Sequence, residues 1–441
     1  MDLLKECKWI NWRKKMTKDI KKHKIETPKE KQNRHKAMEA IAILEKIKNE
    51  FKEPPKTMNY FYDLFESVYC KHEPLHSDKV KVGTMCIQVP SEIIYALDAV
   101  PIRLCNGFYA DDEIGSDLLP SKACPLVKAT VGQFASENFT DKPDIIIAPT
   151  TCDQKAKSGA IIEDMGYSIY DMEFPRTKES EESREYWRRS VRKFTSELSN
   201  ELGKKLTKKK LKESIKKVGY AQHLYHKLNI LRKNVNSPIL GVDMFLVTNA
   251  FFFDKLDNWI EAVDALTKEC EQKVEDEFNA AHKRSPRIVY TGSPPIFPNL
   301  KVPLIIEQSD AIIVADETCS SNRMFNDMVS VDEWFVNDMV DSIADRYLKG
   351  CTCPIFTKNE DRKRRIIDLV KEYKADGVVY QAFAGYQVYE MEQRSILEAM
   401  EKEGIPIIYL ESDYSPSQLG QLTTRVEAFV ESLKNRRRKR K

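Results

Sequence analysis

Cysteines are the residues of this sequence whose types and positions indicate the most specific chemistry. Most of the ten cysteines lie at predicted strand ends or in the loops after them: Cys86, Cys105, Cys124, Cys152, Cys319, Cys351 and Cys353. Thiolates bind iron–sulfur clusters, and a helix that begins directly after a cysteine stabilises an anionic cluster through its backbone N–H groups. The pattern favours one shared site, and Cys152, which precedes a predicted helix, fits it best.

Packing is the competing explanation for each thiol, because cysteine is among the residue types that are most often buried. Strand-end positions beside Pro or polar residues favour four cysteines as ligands: Cys124, Cys152, Cys319 and Cys353. For Cys86 and Cys351, ligation and packing are equally good interpretations. We expect the remaining four to be packing residues: Cys7, Cys70, Cys105 and Cys270.

Other metal and nucleotide motifs are weak or missing. Structural zinc sites usually show paired C-x-x-C spacings, whereas Cys351 and Cys353 form C-x-C, and Cys70, His72 and His76 make only a loose cluster. The sequence lacks G-x-x-x-x-G-K-[ST], G-x-G-x-x-G and G-x-S-x-G. We therefore expect that this chain neither hydrolyses ATP nor binds a dinucleotide.

The elements that must position these thiols alternate between strand and helix. The run DIIIA at residues 144–148 is typical of a strand buried on both faces of a parallel sheet. Residues 175–233 are highly charged and helical with few apolar anchors, which suggests an arm or linker. We predict an α/β protein with two flavodoxin- or Rossmann-like parallel-sheet domains. The predicted divisions are a helical N-terminal segment (1–80), a first α/β domain (81–175), a helical insertion and linker (176–285), a second α/β domain (286–434) and a basic tail (435–441).

Length and composition agree with a globular chain of two or three domains. Of the 441 residues 41% are hydrophobic, and the 71 basic residues nearly balance the 68 acidic ones, so a nucleic-acid partner is not expected. No apolar run is long enough to span a bilayer, and residues 1–22 lack the apolar region of a secretory signal. We expect a cytoplasmic protein whose thiols stay reduced.

From about residue 82 to 433 the sequence resembles the 2-hydroxyacyl-CoA dehydratase and benzoyl-CoA reductase subunit family, most closely its double-cubane cluster branch. Several motifs in order carry the resemblance: MCIQVPSEIIYALDAVPIRLC, LLPSKACPLVK, PDIIIAPTTCDQKAK, TGSPPIFPNLKVPLIIEQSDAIIVADETCSSNR, RYLKGCTCPIFTKNEDR, DGVVYQAFAGYQVYEMEQ and IPIIYLESDYSPSQLGQLTTRVEAF.

The resemblance implies an oxygen-sensitive cluster in a cleft between two flavodoxin-like domains. In this family a separate iron–sulfur ATPase, the activator, reduces the cluster to very low potential. The electron then drives dehydration of a 2-hydroxyacyl-CoA, reduction of an aromatic thioester or, in the double-cubane branch, reduction of small molecules. Members work as two-subunit assemblies, so a homodimer and a pairing with a related chain are both expected.

The resemblance also implies a ligand set. Cys86, Cys124 and Cys353 match the three core thiolates, and further cysteines of the double-cubane branch match Cys152, Cys319 and Cys351. The chain has Ile355 and Gly385 where that branch tends to have two more cysteines. One 4Fe-4S cluster is therefore expected rather than an eight-iron double cubane.

Three functions fit these observations. The first is an enzyme subunit, either a low-potential reductase or a lyase that acts on a CoA thioester or a small molecule. The second is an electron-transfer protein without substrate chemistry of its own. The third is a protein that kept the scaffold and lost the cluster. No catalytic acid or base is assigned, because Asp153, Asp316 and Glu317 beside the predicted ligands are equally well explained as helix caps or supporting acceptors.

Overall fold

The computed structural model describes residues 27–330 and 333–439, which form two four-stranded parallel sheets flanked by helices. In each sheet the first strand along the chain lies between the second and the third, and the fourth lies at the edge beside the third. This order creates a crevice beyond the carboxyl ends of the first and third strands, where ligands bind in such folds. The predicted fold class of two α/β parallel-sheet domains is confirmed.

The first sheet has the order β2-β1-β3-β4 and is preceded by two helices. Thr27 and Glu30 form a capping box at the start of the first helix. The elements are α1 (Pro28–Asn49), α2 (Met58–Cys70), β1 (Val80–Thr84), α3 (Ser91–Ala96), β2 (Ala99–Arg103), α4 (Tyr109–Leu118), α5 (Pro125–Ala135), β3 (Ile145–Pro149), α6 (Asp153–Asp164) and β4 (Ile169–Met172).

Four helices separate the two sheets along the chain: α7 (Glu181–Glu201), α8 (Lys208–Leu231), α9 (Gly241–Ala250) and α10 (Leu256–Glu275). The second sheet has the order β6-β5-β7-β8. Its elements are β5 (Arg287–Gly292), α11 (Lys301–Gln308), β6 (Ile312–Glu317), α12 (Asn322–Phe325), α13 (Val336–Lys349), α14 (Glu360–Glu372), β7 (Gly377–Phe383), α15 (Gln387–Lys402), β8 (Ile407–Ser412) and, after a short 3₁₀ turn, α16 (Leu419–Lys439).

The charged stretch at residues 175–233 is not an arm or a linker, which corrects the expectation from the sequence. Helix α7 buries an apolar stripe that includes Trp187 and Phe194, and the Trp187 indole N–H donates to the carbonyl of Ala344 at 2.8 Å. Helix α8 buries Leu224 and Leu228. The stripe was missed because charged residues dominate the composition of these helices, although only their outer faces carry them.

Packing does not follow chain order. Helix α13 comes from the second half of the chain, yet Met339 and Ile343 pack in the same core as Val82 and Ile147 of the first sheet. Helices α2, α9 and α10 pack in the core of the second sheet.

The predicted domain boundaries stay predictions. Within residues 27–330 and 333–439, no helix is long and apolar enough to cross a membrane.

Candidate functional site

Cys86 and Cys152 come after the two strands that flank the crevice of the first sheet. Cys86 lies two residues after β1 and is half-buried, and Cys152 is the N-cap residue of α6 and is buried. The backbone of Cys152 is extended, so the chain turns directly from β3 into the helix. The amino end of α6 therefore lies next to this thiol, as the sequence predicted, and favours negative charge there.

Cys124 is held beside this pair by a hydrogen-bonded bridge between the two halves of the molecule. It is the N-cap residue of α5, with Pro125 as the first helical residue, and it is buried. Its backbone N–H donates to the Gln154 side-chain oxygen at 2.7 Å, and the Gln154 amide donates to the carbonyl of Gly385 at 2.8 Å. Gln154 thus joins the Cys124 loop of the first half to the loop after β7.

The second half contributes three thiols. Cys319 lies two residues after β6, and Cys351 and Cys353 lie in the loop between α13 and α14. Gln88 donates to the Cys351 sulfur at 2.7 Å, so this loop is tied to the segment after Cys86. The Asn359 side chain fixes the same loop by donating to the Cys353 carbonyl at 3.1 Å.

Charges on the thiols of the two halves act on one another, which shows that they face a common region. Burial raises the pKa of Cys152, and Cys86 and Cys353 raise it further. Burial likewise raises the pKa of Cys319, again with contributions from Cys86 and Cys353. Burial raises the pKa of Cys124 to about 12, and Cys152 adds to the effect. Cys152 and Cys319 therefore both lie within electrostatic reach of Cys86 and Cys353, and Cys124 lies within reach of Cys152.

Cys351 lies at the edge of this region and is electrostatically different. Burial opposes its ionisation, but a hydrogen bond with Cys353 and the charge of Arg323 outweigh burial and lower the pKa of Cys351. The same hydrogen bond is the largest cause that raises the pKa of Cys353. Cys351 also lines a separate small cavity with Gln88 and Arg346.

The described residues contain no preformed site for a single metal ion. Among the residues that the structure describes, no three Cys, His, Asp or Glu side chains are placed to hold one metal ion, and this includes Cys70, His72 and His76. A zinc ion needs its ligands within about 2.3 Å of one point. The thiolates of an iron–sulfur cluster bind different iron atoms and are spaced more widely.

Two basic side chains near the thiols, Arg103 and Lys155, pair with no carboxylate of the described residues. Arg103, at the end of β2, donates to the Cys319 carbonyl at 3.5 Å, approaches its sulfur to 3.8 Å and stacks on Phe252. Lys155, in the first turn of α6, is buried, and the thiols of Cys86, Cys105 and Cys152 are the charges that raise its pKa against the effect of burial. Buried cations facing thiols fit an anionic cluster.

A buried ion-pair network supports the thiols of the second half. Glu317, at the end of β6, accepts two hydrogen bonds from Arg323 at 2.8 and 2.9 Å and also pairs with Arg362. Arg362 in turn binds Glu392 at 2.9 Å. The hydroxyl of Thr352, between Cys351 and Cys353, donates to Glu317 at 2.5 Å. The network fixes this loop, and its two carboxylates offset its two guanidinium groups.

The other two carboxylates beside the predicted ligands also have structural partners. Asp316 accepts hydrogen bonds within residues 318–322, including one from the Ser321 hydroxyl at 3.0 Å. Asp153 is exposed and pairs with Arg176 at 2.8 Å. Asp316 therefore has a structural role, and the exposed Asp153 also lines the cavity beside the thiols.

A cavity opens beside the thiols of the first half. Its wall combines apolar side chains with three thiols, the Lys155 ammonium and the ring of Tyr386. Cys105, expected to be a packing residue, lines this cavity together with Cys124 and Cys152, and its thiol lies 3.4 Å from the carbonyl of Met85. Its position after β2 was the signal available in the sequence.

The remaining cysteines lie elsewhere. Cys270 is fully buried on α10, and Cys70, at the end of α2, is half-buried and packs against the core of the second sheet. Both agree with packing roles. Cys7 lies outside the described residues, as do residues 1–26 of the predicted N-terminal segment and the last two residues of the predicted basic tail.

The two positions that lack the cysteines of the double-cubane branch differ in their surroundings. Gly385 has a positive φ of 78°, and a Cβ added there would meet the carbonyl oxygen of Lys122. A cysteine at position 385 would therefore require the Cys124 loop to move. Ile355 is buried in the core that contains Trp187.

Comparison with known proteins places this chain in a family. The family described as "2-hydroxyglutaryl-CoA dehydratase, D-component" matches residues 86–433, a range that contains all six predicted ligands. The chain belongs to this family. The resemblance inferred from the motifs is confirmed.

Three relatives match along most of their length. A protein of Escherichia coli (strain K12) named as dehydratase subunit YjiM is 30% identical over 363 residues, covering 80% of this chain and 91% of the relative. The (R)-phenyllactyl-CoA dehydratase beta subunit of Clostridium sporogenes is 20% identical, with coverages of 86% and 99%. The beta subunit of (R)-2-hydroxyglutaryl-CoA dehydratase from Acidaminococcus fermentans is 23% identical, with coverages of 80% and 93%.

Proposed function

We propose that this chain is the iron–sulfur subunit of an ATP-activated enzyme, either a low-potential reductase or a 2-hydroxyacyl-CoA dehydratase-like lyase, in the cytoplasm. The observation that carries the proposal is the meeting of thiols from distant parts of the sequence in one buried region beside two cations. Membership of a family whose relatives are named as dehydratase subunits supports it. The substrate is a CoA thioester or another small molecule.

The proposed ligands are Cys86, Cys124 and Cys353, with Cys152, Cys319 and Cys351 as further candidates. One 4Fe-4S cluster fits better than a double cubane, because Gly385 has no space for a side chain. The bound cluster would supply single electrons at low potential.

The protein residues would hold, enclose and orient the reacting groups. Gln154 ties the Cys124 loop to the loop after β7, and the network of Glu317 fixes the loop of Cys351 and Cys353. The cavity beside Cys152 has a volume of about 70 Å³ and is lined by apolar side chains, three thiols and Lys155, so it would adjoin the bound cluster.

Two kinds of partner are implied by the proposal. The sequence lacks a phosphate-binding loop, so the ATP that drives low-potential reduction would be hydrolysed by a separate iron–sulfur activator. Two relatives are named as beta subunits, which supports assembly with a second, related chain or with another copy of this one.

The proposal is tested by anaerobic purification and then iron and sulfide analysis. The wild type should contain about four irons per chain. Cys86→Ser, Cys124→Ser and Cys353→Ser should each lose most of the iron, whereas Cys70→Ala should retain it, because Cys70 lies on α2 away from the site. A wild type with fewer than about two irons, against the four of a cubane, would refute both cluster functions.

A second experiment separates the enzyme from the electron carrier. The reduced protein is mixed with a panel of CoA thioesters under argon, and reoxidation is monitored by absorbance. Turnover or ligand-dependent reoxidation would support substrate chemistry. Reoxidation by electron acceptors alone would indicate an electron-transfer protein.

A further inference from the structure

Lys155 differs from the other buried lysines of the described chain in having no carboxylate partner. Four lysines are at most 9% exposed: Lys36, Lys155, Lys178 and Lys301. The other three pair with aspartates, namely Asp111, Asp361 and Asp413. The Lys155 ammonium makes no hydrogen bond or ion pair with any described residue. A buried charge is costly when it is unpaired, so an anion is expected to share its environment.

The position of Lys155 identifies which anion this is. Cys152 is the N-cap residue of α6 and Lys155 is its third helical residue, two positions whose side chains lie close together at a helix start. The Lys155 side chain lines the cavity shared with Cys105, Cys124 and Cys152. The negative charges that act most strongly on it are thiolates, and the amino end of α6 adds positive potential from the same direction.

Lys155 also differs from Arg323, whose charge acts on the thiols of Cys319 and Cys353. The charge of Arg323 is offset by the carboxylate of Glu317 at 2.8 Å, and Arg362 is offset by Glu392. No carboxylate of the described residues offsets the charge of Lys155 in this way, and Arg103, beside the Cys319 sulfur, is a second cation of this kind. A cation near a redox centre stabilises the state with more negative charge.

We propose that Lys155 is a positioning residue that compensates the negative charge of the thiolate-bound cluster and thereby favours its reduced state. This inference rests on the proposed function. Lys155 would keep its proton and form no bond while an external reductant supplied one electron to the bound cluster. The cation would raise the midpoint potential of the cluster, so that the partner that supplies the electron could be a weaker reductant.

The test is an EPR-monitored redox titration of the anaerobically purified protein, with dithionite as the reductant. Lys155→Met should shift the midpoint potential to a more negative value. Lys155→Arg should keep a midpoint potential close to that of the wild type, because it retains the charge. Lys157→Met is the matched control, since Lys157 lies on the same helix and is exposed. Its midpoint potential should equal that of the wild type.

The iron content and midpoint potential of the Lys155 variants decide whether Lys155 has the proposed role. A Lys155→Met protein that holds iron with an unchanged potential would refute the role of Lys155 and leave the cluster proposal intact. If Lys155→Met loses its iron while Lys155→Arg keeps it, charge compensation is supported. If both variants fold, as judged by circular dichroism, but lose their iron, the charge is not what matters and the assignment fails. A wild type without iron would refute the proposed function itself.

Discussion

Glu317→Gln is expected to be one of the most destabilising conservative substitutions in this protein. The Glu317 side chain is 1% exposed and is the only carboxylate shown to bind Arg323 within the described residues, while it shares Arg362 with Glu392. Glutamine keeps the size of the side chain but removes the charge, so two buried guanidinium groups are left with one carboxylate. Breaking a buried pair in this way costs about 3–5 kcal/mol, much more than the loss of one neutral hydrogen bond.

The assay is urea unfolding of the purified proteins, monitored by tryptophan fluorescence. Trp187 and Trp259 are both fully buried and report on the two main cores. Glu398→Gln is the control, because the pair that Glu398 forms with Arg394 is exposed and should leave the midpoint unchanged. A loss of less than about 1 kcal/mol in Glu317→Gln would show that the network does not hold the Cys351 and Cys353 loop as described.

Two further predictions concern single residues of the fold. Gly385→Ala should lower the melting temperature more than Gly404→Ala: both glycines have positive φ, but only at Gly385 would the new Cβ meet a backbone oxygen. Equal losses would contradict the close approach of the Cys124 loop. Burial raises the pKa of Asp243 to about 7 from its usual value of 3.8, against the hydrogen bond from Tyr62. The folded state then binds more protons than the unfolded state between these values, so this group lowers stability as pH rises through that window. Urea midpoints of Asp243→Asn, measured across the same range, should therefore fall less than those of the wild type, and parallel curves would contradict the buried-carboxyl interpretation.

The central strands and β6 could be predicted because each contains a short apolar run and is buried along nearly its whole length, as β3, β5, β6 and β7 show. The run at 144–148 coincides with β3 to within one residue, and the cysteine after it caps a helix as expected. The strand-end rule for open α/β sheets placed Cys86, Cys152 and Cys319 correctly relative to their strands. These features depend on local sequence, so they can be predicted without knowledge of the tertiary structure.

Helix α5 shows why part of the fold could not be predicted. Pro120 and Pro125 indicate a loop around Cys124, and the structure has one there; they do not show that Pro125 also begins α5, although proline is favoured in the first turn of a helix. The same residue type therefore signals both a loop and a helix start. The residues after the proline decide between the two, and here residues 126–134 bury an apolar face.

The supporting residues of the site were beyond sequence reasoning for a different reason. Lys155 and Arg103 are ordinary basic residues in a chain with 71 of them. Their importance comes from the lack of a carboxylate partner among the residues that the structure describes, which only the tertiary structure shows. The same holds for Gln154, whose two hydrogen-bond partners lie 30 and 231 residues away along the chain.

The most direct test of the cluster proposal is an anomalous difference map, measured at the iron absorption edge from a crystal grown without oxygen. We predict strong iron density bounded by the sulfurs of Cys86, Cys124 and Cys353, with Lys155 beside it. Iron density at another place would contradict the cluster proposal. Well-ordered cysteine side chains with no iron density between them would also contradict it.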